Sequence, residues 1–172
     1  MSTTIFITGG ARSGKSRLAE RLAEGYGAPL CYIATGEARD GEMAERIARH
    51  RQRRGPAWQT VEEPRQLVDA IREMDGRCRA ILVDCITLWI TNLLFQHDAV
   101  DPVLAEVRTL AELLPKLQTP LILVSNEVGM GIVPENALAR SFRDLAGHTN
   151  QILAEAADEA FVTISGIPMK LK

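Results

Sequence analysis

Short apolar runs alternate with longer amphipathic stretches along this chain, and the two periods predict strands alternating with helices. Residues 4–8 (TIFIT) are apolar, partly β-branched and end at Gly9-Gly10, the pattern of a buried strand. Residues 15–25 follow as a helix with Leu18, Ala19 and Leu22 on one face. Further strands are expected over 30–34 (LCYIA), 58–62, 80–83 (running into Asp84), 120–125 (PLILVS) and 160–165 (AFVTIS). Helices are expected over 41 to about 54, where Gly55-Pro56 stops the pattern, and over 64–74 with Leu67, Val68 and Ile71 inward. Others cover 85–95, 102–117 (Leu104, Val107, Leu110, Leu114 and Leu117 at helical spacing) and 136–157, and residues 166–172 are a tail with one more short apolar stretch.

Buried strands joined through helices imply an α/β fold, a mostly parallel sheet flanked by helices. No composition shift or linker divides the chain, so residues 1–172 are expected to form one domain. The composition adds little to this picture: 46% hydrophobic, 24% charged, net charge −2. That balance predicts neither nucleic-acid nor membrane binding, and no apolar run approaches the ~20 residues of a membrane span. Cys31, Cys78 and Cys85 are odd in number and widely spaced, which argues against a disulfide framework and a zinc site. With no signal-peptide pattern at the start, the cytoplasm is the expected compartment.

The chemistry collects just after the predicted strands, where ligands bind in such sheets. Gly9, Gly10, Ala11, Arg12, Ser13, Gly14, Lys15 and Ser16 read GGARSGKS and fit G-x-x-x-x-G-K-[ST] in full, between a strand and a helix. Glycines let the backbone wrap phosphate oxygens, and the loop amides and helix N-terminus hold negative charge. Lys15 is expected to reach the β- and γ-phosphates, and the Ser16 hydroxyl to ligate Mg²⁺. The fold expected is therefore P-loop NTPase-like. A dinucleotide loop is disfavoured because Ala11 stands where its second glycine would be. Asp84, at the end of ILVD, has the setting of a carboxylate that holds Mg²⁺ directly or through water, or of a cap on the helix that follows.

Arg46, Arg49, Arg51, Arg53 and Arg54 crowd nine residues around His50, and no acid occurs between Arg46 and Glu62. A polyanionic ligand is one reason for such a cluster; a solvated helix face is the other. His50 can serve as general base, as hydrogen-bond donor to phosphate, or as a nucleophile forming a phosphoramidate. Neighbouring arginines favour the neutral imidazole that a nucleophile needs.

Together these segments resemble a known family, the bifunctional adenosylcobinamide kinase / adenosylcobinamide-phosphate guanylyltransferases of cobalamin biosynthesis. The resemblance runs almost end to end, through TGGARSGKS at 8–16, YIATGEARDGEMAERIARHRQRRGPAWQTVEEP at 32–64, ILVDCITLWITNLL at 81–94, SNEVGMGIVPENALARSFRDLAGHTNQILAEAADE at 125–159 and the ending SGIPMKLK. It implies two reactions. A γ-phosphoryl group passes from ATP or GTP to adenosylcobinamide, and GMP passes from GTP through an enzyme histidine to adenosylcobinamide phosphate. The family's R-I-x-x-H-R pattern puts that histidine at His50. It implies nucleotide contacts at residues 9–16, at Ala34, Thr35 and Gly36, at Arg51, Gln52, Arg53 and Arg54, at Glu62 and at Asp84. Glu62 can accept from guanine N1–H and N2–H₂, or from ribose hydroxyls. Residues 126–135 (NEVGMGIVPE) are expected to face the same cleft and either contact the corrinoid or shape the site.

The resemblance also implies a homotrimer. Leu88, Trp89, Ile90, Leu93, Leu94 and Phe95 could serve a core or an interface, with core the default. Two other functions fit the P-loop: a small-molecule kinase without a covalent intermediate, and a regulatory NTPase switch with a protein partner.

Overall fold

A computed structural model of the chain describes residues 2–37 and 55–172. The helix expected over 41–54, with His50, Arg51, Gln52, Arg53 and Arg54, lies outside the described residues. The described elements run β1 (Thr4–Gly9), α1 (Lys15–Glu24), β2 (Leu30–Ala34), β3 (Trp58–Glu62), α2 (Leu67–Met74), β4 (Ala80–Asp84), α3 (Ile86–His97), α4 (Val100–Leu113), β5 (Leu121–Val124), α5 (Ala137–Ala156), β6 (Glu159–Ile164) and β7 (Ile167–Lys170). The strands form one sheet in the order β3-β2-β4-β5-β1-β6-β7. Every pairing is parallel except β6 with β7. The mostly parallel α/β sheet expected from the sequence is therefore the one observed.

Alternation along the strands builds two cores. Phe6, Ile33, Ile81, Val83, Leu121 and Leu123 face α2–α5, where Trp89, Ile90, Leu110 and Leu153 are buried. Ile5, Ile7, Tyr32, Leu82, Ile122 and Val124 face the other way, where α1 covers them with Leu18, Ala19 and Ala23. Each fully buried side chain of the size of Leu or Ile stabilises the fold by roughly 1.5–3 kcal/mol relative to exposure. The apolar stretch of α3 is mainly core: Trp89, Ile90 and Leu93 are buried, whereas Phe95 at its end is exposed. Among the described residues, no helix is long and apolar enough to cross a membrane.

Several boundaries differ from the sequence expectation, and three of the differences have a clear local reason. Helix α2 starts at Leu67 rather than at 64, because the Glu63 carboxylate accepts the amides of Arg65 and Gln66 and holds a turn ahead of it. The helix expected to continue to 117 ends at Leu113 and tightens into a 3-10 turn over Leu114–Lys116; Pro115 has no amide with which to extend the α-helical ladder. The tail over 166–172 contains a strand, β7, which no alternation announced because all four of its residues are exposed.

Register sets the geometry of the functional edge. Glu62 lies beside Ala34, Ala34 beside Asp84, Asp84 beside Val124, and Val124 beside Ile7. One lateral row thus carries Glu62, Ala34 and Asp84 along the carboxyl end of the sheet, and the glycine-rich loop opens two residues beyond Ile7.

Candidate active site

The loop after β1 has the backbone that its glycines permit. Gly9 and Gly14 have φ of 147° and 100°, in the region that side chains disfavour. A methyl group on Gly9 would collide with the Thr163 carbonyl oxygen and stand 2.8 Å from the Ser13 hydroxyl. Gly9→Ala is therefore expected to cost about 2–4 kcal/mol of stability from strain and overpacking together, measured by urea unfolding. Wild-type stability in that variant would contradict the tight packing.

Helix α1 begins at Lys15 with no acidic residue in its first turn and no side-chain cap, so its N-terminal amides are left for an anion. The Lys15 side chain is buried and curls over its own loop, where Nζ donates to the Gly10 carbonyl at 2.6 Å. Burial pushes the ammonium pKa below its ordinary value, against the raising influence of Cys85 and Asp84. A cation held in a partly desolvated loop is suited to engage phosphate oxygens.

Ser16 and Asp84 meet across the sheet edge: the Ser16 hydroxyl donates to Asp84 Oδ2 at 2.9 Å. Tyr32 donates to the same oxygen at 3.1 Å. Asp84 does not cap α3, whose N-cap position is Cys85 and has no side-chain cap bond. Of the two roles open to Asp84 in the sequence, this geometry excludes the helix cap. Nothing in the sequence marks Tyr32, which reads as one more apolar residue of LCYIA.

The loop of Ala34, Thr35 and Gly36 is fastened from below. The Thr35 hydroxyl donates to the Cys85 carbonyl at 2.7 Å and lies 2.9 Å from the Cys85 amide. Buried Asn92 of α3 donates to the carbonyls of Thr35 at 2.8 Å and of Pro64 at 3.1 Å. Trp89, one turn earlier, donates through Nε1 to the Arg65 carbonyl at 2.8 Å, and Arg65 pairs with Glu37 at 2.7 Å. Asn92 is thus a second supporting residue missed in the sequence; its only signal is an amide within the apolar run ITLWITNLL. Glu62 is exposed at the far end of the edge row. The Cys85 thiol is buried, and burial pushes its pKa up to about 12, so it is not poised as a nucleophile.

The segment after β5 completes this edge. The Glu127 amide donates to the Gly9 carbonyl at 3.0 Å, and its carboxylate accepts the Gly129 amide at 2.6 Å. Asn150 and Arg143 of α5 reach the carbonyls of Asn126 and Gly129. Beyond these anchors Met130, Ile132 and Val133 project into solvent. These bonds anchor residues 126–129 beside the P-loop.

Residues 5–171 match the family model described as "Cobinamide kinase / cobinamide phosphate guanyltransferase". The chain belongs to this family. Among its relatives, the bifunctional adenosylcobalamin biosynthesis protein CobP of Pseudomonas aeruginosa is 49% identical, with 96% of this chain and 95% of the relative aligned. The bifunctional adenosylcobalamin biosynthesis protein CobU of Escherichia coli K12 is 44% identical over 98% of this chain and 99% of its own length. The solved structure of the flagellar accessory protein FlaH from Methanocaldococcus jannaschii is similar at a TM-score of 0.54 and 18% identity, over 99% of this chain and 78% of that one. A KaiC-like protein from Pyrococcus horikoshii OT3 gives 0.51 and 15%, over 93% and 70%. These two speak for the fold alone. The family resemblance read from the P-loop, the arginine–histidine segment and the NEVGMGIVPE loop is borne out.

Proposed function

We propose that this chain performs both reactions of its family. In one, the γ-phosphoryl group of ATP or GTP passes to the aminopropanol hydroxyl of adenosylcobinamide. In the other, GTP donates GMP to adenosylcobinamide phosphate, giving adenosylcobinamide-GDP. The observation that carries the nucleotide half is the convergence of Lys15, Ser16 and Asp84 at the mouth of one glycine-rich loop.

The loop amides and the first turn of α1 would hold the phosphates. Phosphate oxygens are stronger acceptors for the Lys15 ammonium than the Gly10 carbonyl it now contacts, so the side chain is placed to trade one for the other. Ser16 and Asp84 are the residues suited to Mg²⁺. Both offer hard oxygens, and their 2.9 Å separation matches the ~2.9 Å between adjacent ligands of an octahedral ion at 2.0–2.1 Å. When bound, the ion would screen phosphate charge during transfer. Ala34, Thr35, Gly36 and Glu62 extend along the same edge toward the position we assign to ribose and guanine, and Arg51, Gln52, Arg53 and Arg54 are assigned to the phosphates.

For guanyl transfer we assign the nucleophile to His50. An imidazole nitrogen attacks the α-phosphorus of GTP, the bond from that phosphorus to the bridging oxygen breaks, and pyrophosphate leaves. A phosphate oxygen of the acceptor then attacks the same phosphorus and displaces the histidine. Splitting the transfer lets pyrophosphate depart before the bulky corrinoid reacts.

The test uses GTP labelled at the α- or the γ-phosphate, followed by denaturation. Acid-labile, alkali-stable label is expected on the protein from the α position only. A protein that takes no α label would be a kinase or a switch without a covalent step. ATP with adenosylcobinamide is expected to give the phosphorylated corrinoid; its absence would restrict the chain to guanyl transfer.

A further inference from the structure

The ending SGIPMKLK lies far from the P-loop in sequence and takes no part in the chemistry above, yet it is in direct contact with the loop. Strands β6 and β7 pair antiparallel with Ile164 beside Ile167, which leaves Ser165 and Gly166 as a two-residue turn. Both have positive φ, 52° and 83°, as in a type I′ turn. The Gly166 amide donates to the Ser13 carbonyl at 2.9 Å. The Ser13 hydroxyl pairs with the Thr163 hydroxyl at 2.7 Å, and both side chains are buried. A methyl group on Gly14 would stand 3.2 Å from the Gly166 α-carbon, so turn and loop are in close contact.

The planar trans peptide turns this contact into an orientation. Within one peptide unit, C=O and N–H point in opposite directions. The Ser13 carbonyl is held outward, toward the Gly166 amide. The Gly14 N–H of the same unit therefore points the other way, away from the hairpin. The Glu127 amide does the same for the Gly9–Gly10 unit by holding the Gly9 carbonyl. A loop that must present its amides to an anion needs its carbonyls occupied elsewhere, and here two other segments supply the donors.

We propose that the β6–β7 hairpin is a clamp that orients the phosphate loop, with Thr163 and Gly166 as positioning residues acting through Ser13 and Gly14. The inference rests on the nucleotide-binding role of the P-loop. It adds that the affinity of this loop is set in part by a hairpin acting through Ser13 and Gly14.

The test is a comparison of Thr163→Val, Thr163→Ser, Ser13→Ala and the Thr163→Val/Ser13→Ala double variant. For each, KM and kcat are measured for GTP, ATP and the corrinoid acceptor, with Tm alongside. Removing one buried hydroxyl of the pair is expected to raise the nucleotide KM about five- to tenfold in both reactions. The corrinoid KM should stay within about twofold of wild type. Thr163→Ser keeps the hydroxyl and should restore the nucleotide KM. The double variant should be no worse than the poorer single one, because both changes break the shared Ser13–Thr163 contact. An unchanged nucleotide KM in both single variants, whatever the Tm, would overturn the clamp, and so would additive losses in the double variant. If Thr163→Val does not fold, Ser13→Ala and Thr163→Ser carry the comparison. A wild-type nucleotide KM in Lys15→Met would instead refute the P-loop role itself, so the two failures are distinguishable.

Discussion

His50→Asn protein incubated with α-labelled GTP is expected to come out of denaturation unlabelled. Its guanyl transfer to adenosylcobinamide phosphate should fall on the order of 10³-fold or more, the scale on which enzymes lose a covalent nucleophile. Asparagine keeps a hydrogen-bonding side chain of modest size, so a role limited to contacting phosphate would leave much of the activity. It offers no nitrogen lone pair able to form a phosphoramidate, so a nucleophilic role would not survive. Phosphorylation of adenosylcobinamide by ATP should persist, because attack there comes from the substrate hydroxyl. Retention of the α label in the variant would remove His50 from the mechanism, and equal loss of both activities would make it a general phosphate contact.

Lys15→Met should have two effects of opposite sign. Both reactions are expected to slow by roughly 10²–10³-fold, because one ammonium serves the phosphates whichever phosphorus is attacked. The nucleotide-free protein, however, should become more stable near neutral pH. Burial holds the Lys15 pKa below its ordinary 10.5, so the unfolded chain binds the proton more tightly than the folded one. Wild-type stability therefore carries a penalty at neutral pH that fades as pH rises from the folded value through 10.5. Methionine fills a similar volume without charge and removes that penalty. Thermal melts of both proteins against pH should show the variant ahead at pH 7 and the gap narrowing in alkali. Full retention of guanyl transfer would mean that the loop serves the kinase reaction alone.

The strands and the phosphate loop were legible because one local signal fixes each. A run such as TIFIT or ILVD is buried on both faces, and GGARSGKS brings its own turn and helix start. Asp84 was legible only as one of two alternatives, since a strand-end carboxylate reads alike whether it caps a helix or faces a metal. In the structure Cys85, not Asp84, holds the N-cap position of α3, and Asp84 accepts the Ser16 hydroxyl instead. Tyr32 and Asn92 stayed hidden for a different reason. Each is mostly apolar in its setting, and its single polar end finds a partner 52 or 57 residues away. Strand β7 escaped because an exposed edge strand containing Pro168 shows no alternation, and its short apolar stretch reads as part of a tail.

The place of β1 in the sheet bears on how the protein is made. Its neighbours are β5, with Thr4 beside Leu121, and β6, with Ile5 beside Glu159. The phosphate loop is synthesised before the strands that flank it. The strands that flank it, and the turn that grips Ser13, follow more than a hundred residues later. At synthesis rates of about 5–20 residues per second, the nascent loop waits many seconds for its walls. Such distant pairings fold slowly, because the intervening chain must first give up its freedom. A phosphate loop walled by β5, β6 and the turn after β6 is therefore expected to be complete only late in folding.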